Sequence, residues 1–310
     1  MTTSANELAN WTGHFDQHGS LLVSRSKLSV KNRTMADHSF QIGHHEIKTV
    51  AFWKAVSAEI LATAILMIVQ CSTPLKWPGN NDSGTTVQIA LGMGFVVMCL
   101  AESVGHISGA QMNPAVAIAM FLAQKISLLR AILYVVAQCI GAIAGSGLVY
   151  VVTSPNATGN FATTTVNPLL SPAQGMVVEM YLTFILVFVI FGATDSARKL
   201  TMPGIAIGLT VAMDVLSGIN HTGASMNPAR SLGPAVYVNI WTDHWVYWVG
   251  PILGGALATL VYRYGFNPVK QEDENCKTEV IKEQELRHVV EEVFGRFRPE
   301  VTGARENGNI

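Results

Sequence analysis

Charge is what the middle of this chain lacks. Of its 41 Lys, Arg, Asp and Glu residues, 9 fall in residues 1–52, 15 in residues 53–269 and 17 in residues 270–310. A chain that is 49% hydrophobic and only 13% charged is too apolar for an ordinary soluble domain. The uneven placement points to a membrane core between two polar tails. The net charge of −1, with Lys and Arg gathered into no stripe, excludes a nucleic-acid partner. Four cysteines form no disulfide framework: Cys71, Cys99 and Cys139 fall in apolar runs, and Cys276 lies near the end. No His, Cys or acidic residues recur at metal-ligand spacing, and no nucleophile stands with a base. Neither an enzyme nor a metal or other cofactor is expected. The first 50 residues are polar, with no apolar stretch of signal-peptide type, so insertion is expected to rely on the first span itself.

What is present is a set of six apolar runs. They extend from Phe52 to Ser72, Val87 to Gly105, Ala131 to Val152, Ala173 to Phe191, Met202 to Ser217 and His244 to Phe266. Each approaches the ~20 residues that a helix needs to cross a bilayer. Pro74–Thr86 reads as a short polar loop, and Ser154–Ser171 as an uncharged loop rich in Thr, Asn and Pro. Lys and Arg beside the spans set the orientation. With the N-terminus in the cytosol, the inner flanks carry Lys48, Lys54, Lys125, Arg130, Arg198, Lys199, Arg263 and Lys270. Apart from Arg230, the outer loops carry Lys76 alone. Both termini are therefore expected inside. Glycines within the spans, among them Gly94, Gly141, Gly208 and Gly254, read as points of close helix approach.

One stretch occurs twice. Ser108-Gly109-Ala110-Gln111-Met112-Asn113-Pro114-Ala115 returns as Thr222-Gly223-Ala224-Ser225-Met226-Asn227-Pro228-Ala229. In each copy Asn reads as an N-cap and Pro as the first helical residue. The apolar run that follows is about half the length needed to span. The repeat extends further. Glu59-Ile-Leu-Ala-Thr63 matches Glu179-Met-Tyr-Leu-Thr183, and the run from Tyr134 to Gly141 matches that from Tyr247 to Gly254. Three spans per half is an odd number, so the second half is inserted upside down. Inverted repeats of this kind place their site at the midplane, where broken helices meet. The predicted fold is an all-α membrane protein with six transmembrane helices and two re-entrant half-helices in an inverted 3+3 repeat. Residues 1–50 are expected to form a largely disordered cytosolic tail. Residues 51–268 form the core, with repeats over about 51–153 and 172–268. Residues 269–310 form a charged cytosolic tail, in which Leu286, Val289, Val290, Val293 and Phe297 recur at helical spacing.

The paired Asn-Pro-Ala signature, with Arg230 after the second copy, resembles the major intrinsic protein family, the aquaporins. The resemblance covers roughly residues 50 to 268. It implies a passive channel for water, proton- and ion-excluding, and a homotetramer. Loops 106–112 and 220–226 are irregular backbone at membrane depth, tolerated there only if buried or lining water. Each half-helix carries roughly half a positive charge at its N-terminus. That field and the amides of Asn113 and Asn227 turn a water's oxygen inward and interrupt a proton chain. Glu59 and Glu179, equivalent by repeat, are expected to accept the loop N–H groups. His106, at the start of the first loop, is assigned to the same pore-loop support. Glu102, near the cytosolic end of its span, reads as interfacial.

The resemblance places the outer constriction at Met93, Val215, Ala224 and Arg230. Water-selective members usually have an aromatic residue at the first position and His at the second. Met and Val here predict a wider throat that passes small uncharged solutes such as glycerol or urea. Ser231, Ala235 and Tyr247-Trp248 match the water branch instead. The mixture resembles an insect subgroup of glycerol-permeable channels derived from that branch. Water with small polyols or urea is the first reading, and water alone the second. Asp214 departs from the family, which has a small residue there; it either reaches the outer vestibule or finds a donor on another span. A secondary transporter also uses inverted repeats, and a closed-pore structural protein is a third class. Asn81 and Asn156 stand in glycosylation triplets on predicted outer loops. The plasma membrane is the expected residence.

Overall fold

The computed structural model describes residues 14–15, 21–22, 41–79, 84–195 and 200–266. Two short strands, β1 (His14–Phe15) and β2 (Leu21–Leu22), pair antiparallel within a unit of their own, Met1–Ser39. The second unit, Phe40–Ile310, contains the helices. The C-terminal amphipathic pattern, most of the N-terminal tail, and Asn81, Arg198, Lys199, Lys270 and Cys276 lie outside the described residues.

The helices are α1 (Val50–Ser72), α2 (Thr86–Ser108), α3 (Pro114–Leu122), α4 (Leu128–Val152), α5 (Pro155–Thr158), α6 (Pro172–Ala193), α7 (Pro203–Thr222), α8 (Pro228–Val238) and α9 (Val246–Gly265). Their starts are written in the sequence. The hydroxyls of Thr49, Thr85, Ser127 and Ser171 each accept the backbone N–H three residues on, capping α1, α2, α4 and α6. Asn113 and Asn227 cap α3 and α8, with Pro at the first helical position as expected. Five of the six long helices have the length and apolar content to cross a membrane. The sixth, α9, has the same 20 residues as α7 and carries Pro251 and Arg263 within it. The six expected spans and two half-helices are all present.

One boundary moved by five residues. The fifth span was expected to end at Ser217, but α7 runs to Thr222. The stop is Gly223, in the left-handed region at φ 85°; Gly218 instead packs against Leu182. In the same way α2 runs to Ser108 and stops at Gly109, φ 90°. The irregular loops are therefore only 109–112 and 223–226.

The two halves interlock. α1 packs on α4 and α6 on α9, while α2 and α7 cross between the halves. Each half-helix packs mainly on the last long helix of the other half, α3 on α9 and α8 on α4. At the α2–α7 crossing, Gly94 and Gly208 face one another. A Cβ on either would stand 2.5 Å from the other's carbonyl oxygen. The outward faces carry exposed apolar side chains, including Leu61, Ile65, Leu91, Phe95, Ile132, Ile140, Leu209 and Leu257. In water such a belt would drive association; in lipid it is the solvent-facing surface. Gly208→Val should overpack the crossing and cost about 1–3 kcal/mol. The expected result is a lower melting temperature of the purified protein in detergent.

Candidate functional site

Both irregular loops adopt the same strained shape. After Gly109, Ala110 (φ 46°) and Met112 (φ 49°) are left-handed; after Gly223, so are Ala224 (φ 48°) and Met226 (φ 55°). Left-handed backbone costs a residue with a Cβ roughly 1–2 kcal/mol. Two buried carboxylates offset that cost. Glu59 Oε1 accepts from the Ser108 hydroxyl (2.6 Å) and the Gln111 N–H (2.9 Å). Its Oε2 accepts from the Met112 N–H (2.7 Å) and the Gln138 amide (2.8 Å). Glu179 repeats the pattern with Thr222 Oγ1 (2.6 Å), Ser225 N–H (2.9 Å) and Met226 N–H (2.7 Å). Pro251 stands where the first half has Gln138. The Tyr134 hydroxyl donates to the Ser108 carbonyl (3.0 Å), and the Tyr247 hydroxyl to the Thr222 carbonyl (2.8 Å).

The loops also hold each other. Asn113 Nδ2 donates to the Met226 carbonyl at 2.8 Å, and Asn227 Nδ2 to the Met112 carbonyl at 2.8 Å. Each Asn Oδ1 accepts the N–H of the Ala two residues on. The half-helix N-termini therefore converge. Each Nδ2 keeps one further N–H for a guest.

A cavity of about 330 Å³ runs past this meeting point. Both asparagines line it, and so do Met93, Val215, Ala224 and Arg230, the four residues assigned to the constriction. All four are almost fully buried. The Arg230 Nη1 donates to the Ala162 carbonyl at 2.9 Å. Phe161 and Ala162 are both left-handed (φ 50° and 57°), in the turn between α5 and α6 that offers this carbonyl. Beneath Arg230, Ser231 joins Thr164 (2.7 Å) and Ser225 (2.6 Å) in a buried hydroxyl chain. At the end where α3, α6 and α9 finish, Lys125 lines the cavity with its ammonium 5.0 Å from the centre of the Phe191 ring. Desolvation holds this lysine below its usual range, opposed by the Asp195 charge.

Residues 46–262 match the family profile described as Major intrinsic protein, which is more than two thirds of the chain. The chain belongs to the major intrinsic protein family. Aquaporin-4 of Mus musculus is 45% identical over 234 residues, covering 74% of this chain and 72% of its own. Aquaporin-5 of Sus scrofa is 48% identical over 222 residues, covering 71% and 83%. The solved aquaglyceroporin from Plasmodium falciparum superposes with a TM-score of 0.64 at 25% identity, over 70% of this chain and 98% of that one. The protein is a membrane channel of this family and not an enzyme.

Several sequence assignments meet in this site and others do not. Glu59 and Glu179 hold the loops, as the repeat suggested. His106 does not share that role: it lies in the last turn of α2, exposed, and is not among the donors to Glu59. The helix carries it past the loop, which begins only at Gly109. Glu102 is more than an interfacial charge. Its carboxylate accepts the Gly204 N–H at 2.7 Å and so caps the N-terminus of α7. Asp214 is buried beside Val215 but outside the cavity lining. Neither of its oxygens has a hydrogen-bond partner among the described residues, and nothing in the structure explains it. Gln138 and the Ala162 carbonyl escaped sequence reading. The first was visible only as a polar residue within an apolar span, and the second left no signal at all.

Replacing Glu179 with Ala would orphan three buried donors, at roughly 1–3 kcal/mol each. The expected outcome is a large loss of folded protein, read as yield after detergent extraction and as melting temperature. The exposed His106→Ala should leave both unchanged.

Proposed function

We propose that the protein conducts water together with small uncharged solutes such as glycerol and urea, down their gradients, while excluding ions and protons. The observation that carries this reading is the chemistry of the cavity wall. Met93 and Val215 present flexible or small apolar surface at the constriction where a ring and an imidazole would narrow it. Arg230 supplies the donors on one side, and its positive charge repels cations. The converging half-helices add a second positive field at the asparagines. A water there donates no hydrogen inward, so a proton relay is broken.

Water alone is the second reading. Ser231 is fully buried in the Thr164–Ser225 hydroxyl chain, a place where dedicated glycerol channels carry Asp. The relatives named aquaporin-4 and aquaporin-5 support this second reading, and the aquaglyceroporin structure supports the first. The same proposal includes a homotetramer in the plasma membrane with both termini in the cytosol. It keeps the channel domain over residues 51–268 between two tails, with the segment 41–50 bonded to the domain rather than to the first tail. Asn81 and Asn156 both remain glycosylation candidates, and Asn156 is exposed on α5.

Swelling of liposomes that contain the purified protein tests the solute range. Water, urea and glycerol should all pass. Val215→His should suppress glycerol and urea and spare water. Unchanged glycerol flux in that variant would sink the account of the throat. Mercury offers a second check. Ala224 brings no thiol to the constriction, and Cys71 is fully buried outside the cavity lining. Flux should resist organomercurials and become sensitive in Ala224→Cys. Reversible mercury block of the unaltered channel, lost on replacing Cys71, Cys99 or Cys139, is the contrary result.

A further inference from the structure

Residues 41–48 do not behave as a loose tail. The carbonyls of Gln41 and Ile42 accept the N–H groups of Leu128 (2.9 Å) and Leu129 (3.2 Å), the first residues of α4. The Ile47 carbonyl accepts the indole N–H of Trp53 at 2.8 Å. Gly43, left-handed at φ 86°, lies against the Ser127 side chain, where a Cβ has no room. Glu46 then reaches Arg130. Its Oε2 accepts from Nε at 2.8 Å and from Nη2 at 2.5 Å. This is the one ion pair found among the described residues, and both side chains are mostly buried.

Arg130 does not stop the chain of contacts. Its Nη1 donates to the Tyr134 hydroxyl at 3.1 Å. That hydroxyl donates to the Ser108 carbonyl, and the Ser108 hydroxyl donates to Glu59, which holds Gln111 and Met112. An unbroken series of hydrogen bonds thus joins the N-terminal segment to the first pore loop. The second half has no counterpart. Tyr247 grips Thr222 as Tyr134 grips Ser108, but Asp243 stands at the position equivalent to Arg130.

We propose that Glu46 and Arg130 are positioning residues for the first Asn-Pro-Ala loop, so that the N-terminal segment 41–48 helps to set the conductance of the pore. The proposal rests on the channel reading. Charge-assisted bonds are the strong members of such a series, and linked bonds polarise one another. Without the Glu46 charge, the two guanidinium bonds to its Oε2 fall to neutral-acceptor strength at a part-buried place. Arg130 turns outward to hydrate its donors and releases the Tyr134 hydroxyl. The Tyr134–Ser108 bond then loses the polarisation that the guanidinium supplies and loosens, and the shift reaches the Met112 carbonyl on which Asn227 depends.

The test uses full-length protein in liposomes, with Glu46→Gln, Arg130→Ala, Tyr134→Phe and the double variant Glu46→Gln/Tyr134→Phe. Water permeability per reconstituted channel is measured at several temperatures. Each single variant should lower it about twofold or more and raise its activation energy, because the competent loop arrangement becomes a fraction of the population. The double variant should be no worse than Tyr134→Phe alone, as expected for residues acting in series. Amide hydrogen exchange provides a readout independent of flux. Gln111 and Met112 should exchange faster in Glu46→Gln, while Ser225 and Met226 stay as they are. Equal acceleration of both loops would reveal general loosening and overturn the proposal. So would lower flux at unchanged activation energy, which signals fewer folded channels, or effects of Glu46→Gln and Tyr134→Phe that multiply. An unaltered protein that passes no water refutes the channel reading instead, and the exchange measurement still decides the coupling.

Discussion

Backbone that leaves helical geometry inside a membrane has no water to bond with, and this fold answers that constraint with two carboxylates. Each loop has consecutive N–H groups that point to one side, toward a single acceptor. A carboxylate offers the lone pairs for several donors in one compact group. An amide in its place would offer one oxygen and add donors of its own. Glu59 and Glu179 sit on α1 and α6, far along the chain from the loops they hold. The irregular part of the cavity wall inherits its position from them: the left-handed alanines, the paired asparagines and the start of both half-helices.

The second constraint is closeness. The two loops can exchange asparagine bonds only if the halves approach within contact distance, which the facing glycines of α2 and α7 allow. Similar glycines bring α4 onto α1 and α9 onto α6: Gly141 lies on the Ile60 carbonyl and Gly254 on that of Met180. The repeat is therefore visible in the packing as well as in the motif. It is broken in two places that matter. Gln138 has become Pro251, and the counterpart of Arg130 is Asp243. The carboxylate of the first loop, 109–112, has Gln138 as an additional donor, which that of the second loop, 223–226, does not. The second loop is buttressed instead by the Thr164–Ser231–Ser225 hydroxyls and by the tether of Arg230 to Ala162.

Much of this was legible in the residues because it depends on local rules. Asn before Pro marks a capped helix, apolar length marks a span, and a duplicated acidic residue within a span marks a shared task. The rest was illegible for a consistent reason. Helix ends moved where two glycines competed for the stop, as at Gly218 and Gly223, and only packing against Leu182 separates them. His106 was assigned by nearness in sequence, yet helical rotation turned it outward. Glu102 and Glu46 act on groups far along the chain, Gly204 and Arg130, which no local pattern connects. The carbonyl of Ala162 has no side-chain signature whatever.

Each stub helix rests mainly on a partner from the opposite half, and α3 in particular leans on the last long helix. During synthesis α3 leaves the ribosome well before α9 exists. Until α9 arrives, that stub has only α4 of its own half to rest on, and the wall that the second half contributes to the cavity is unfinished. The passage is thus completed by the last helix to be made.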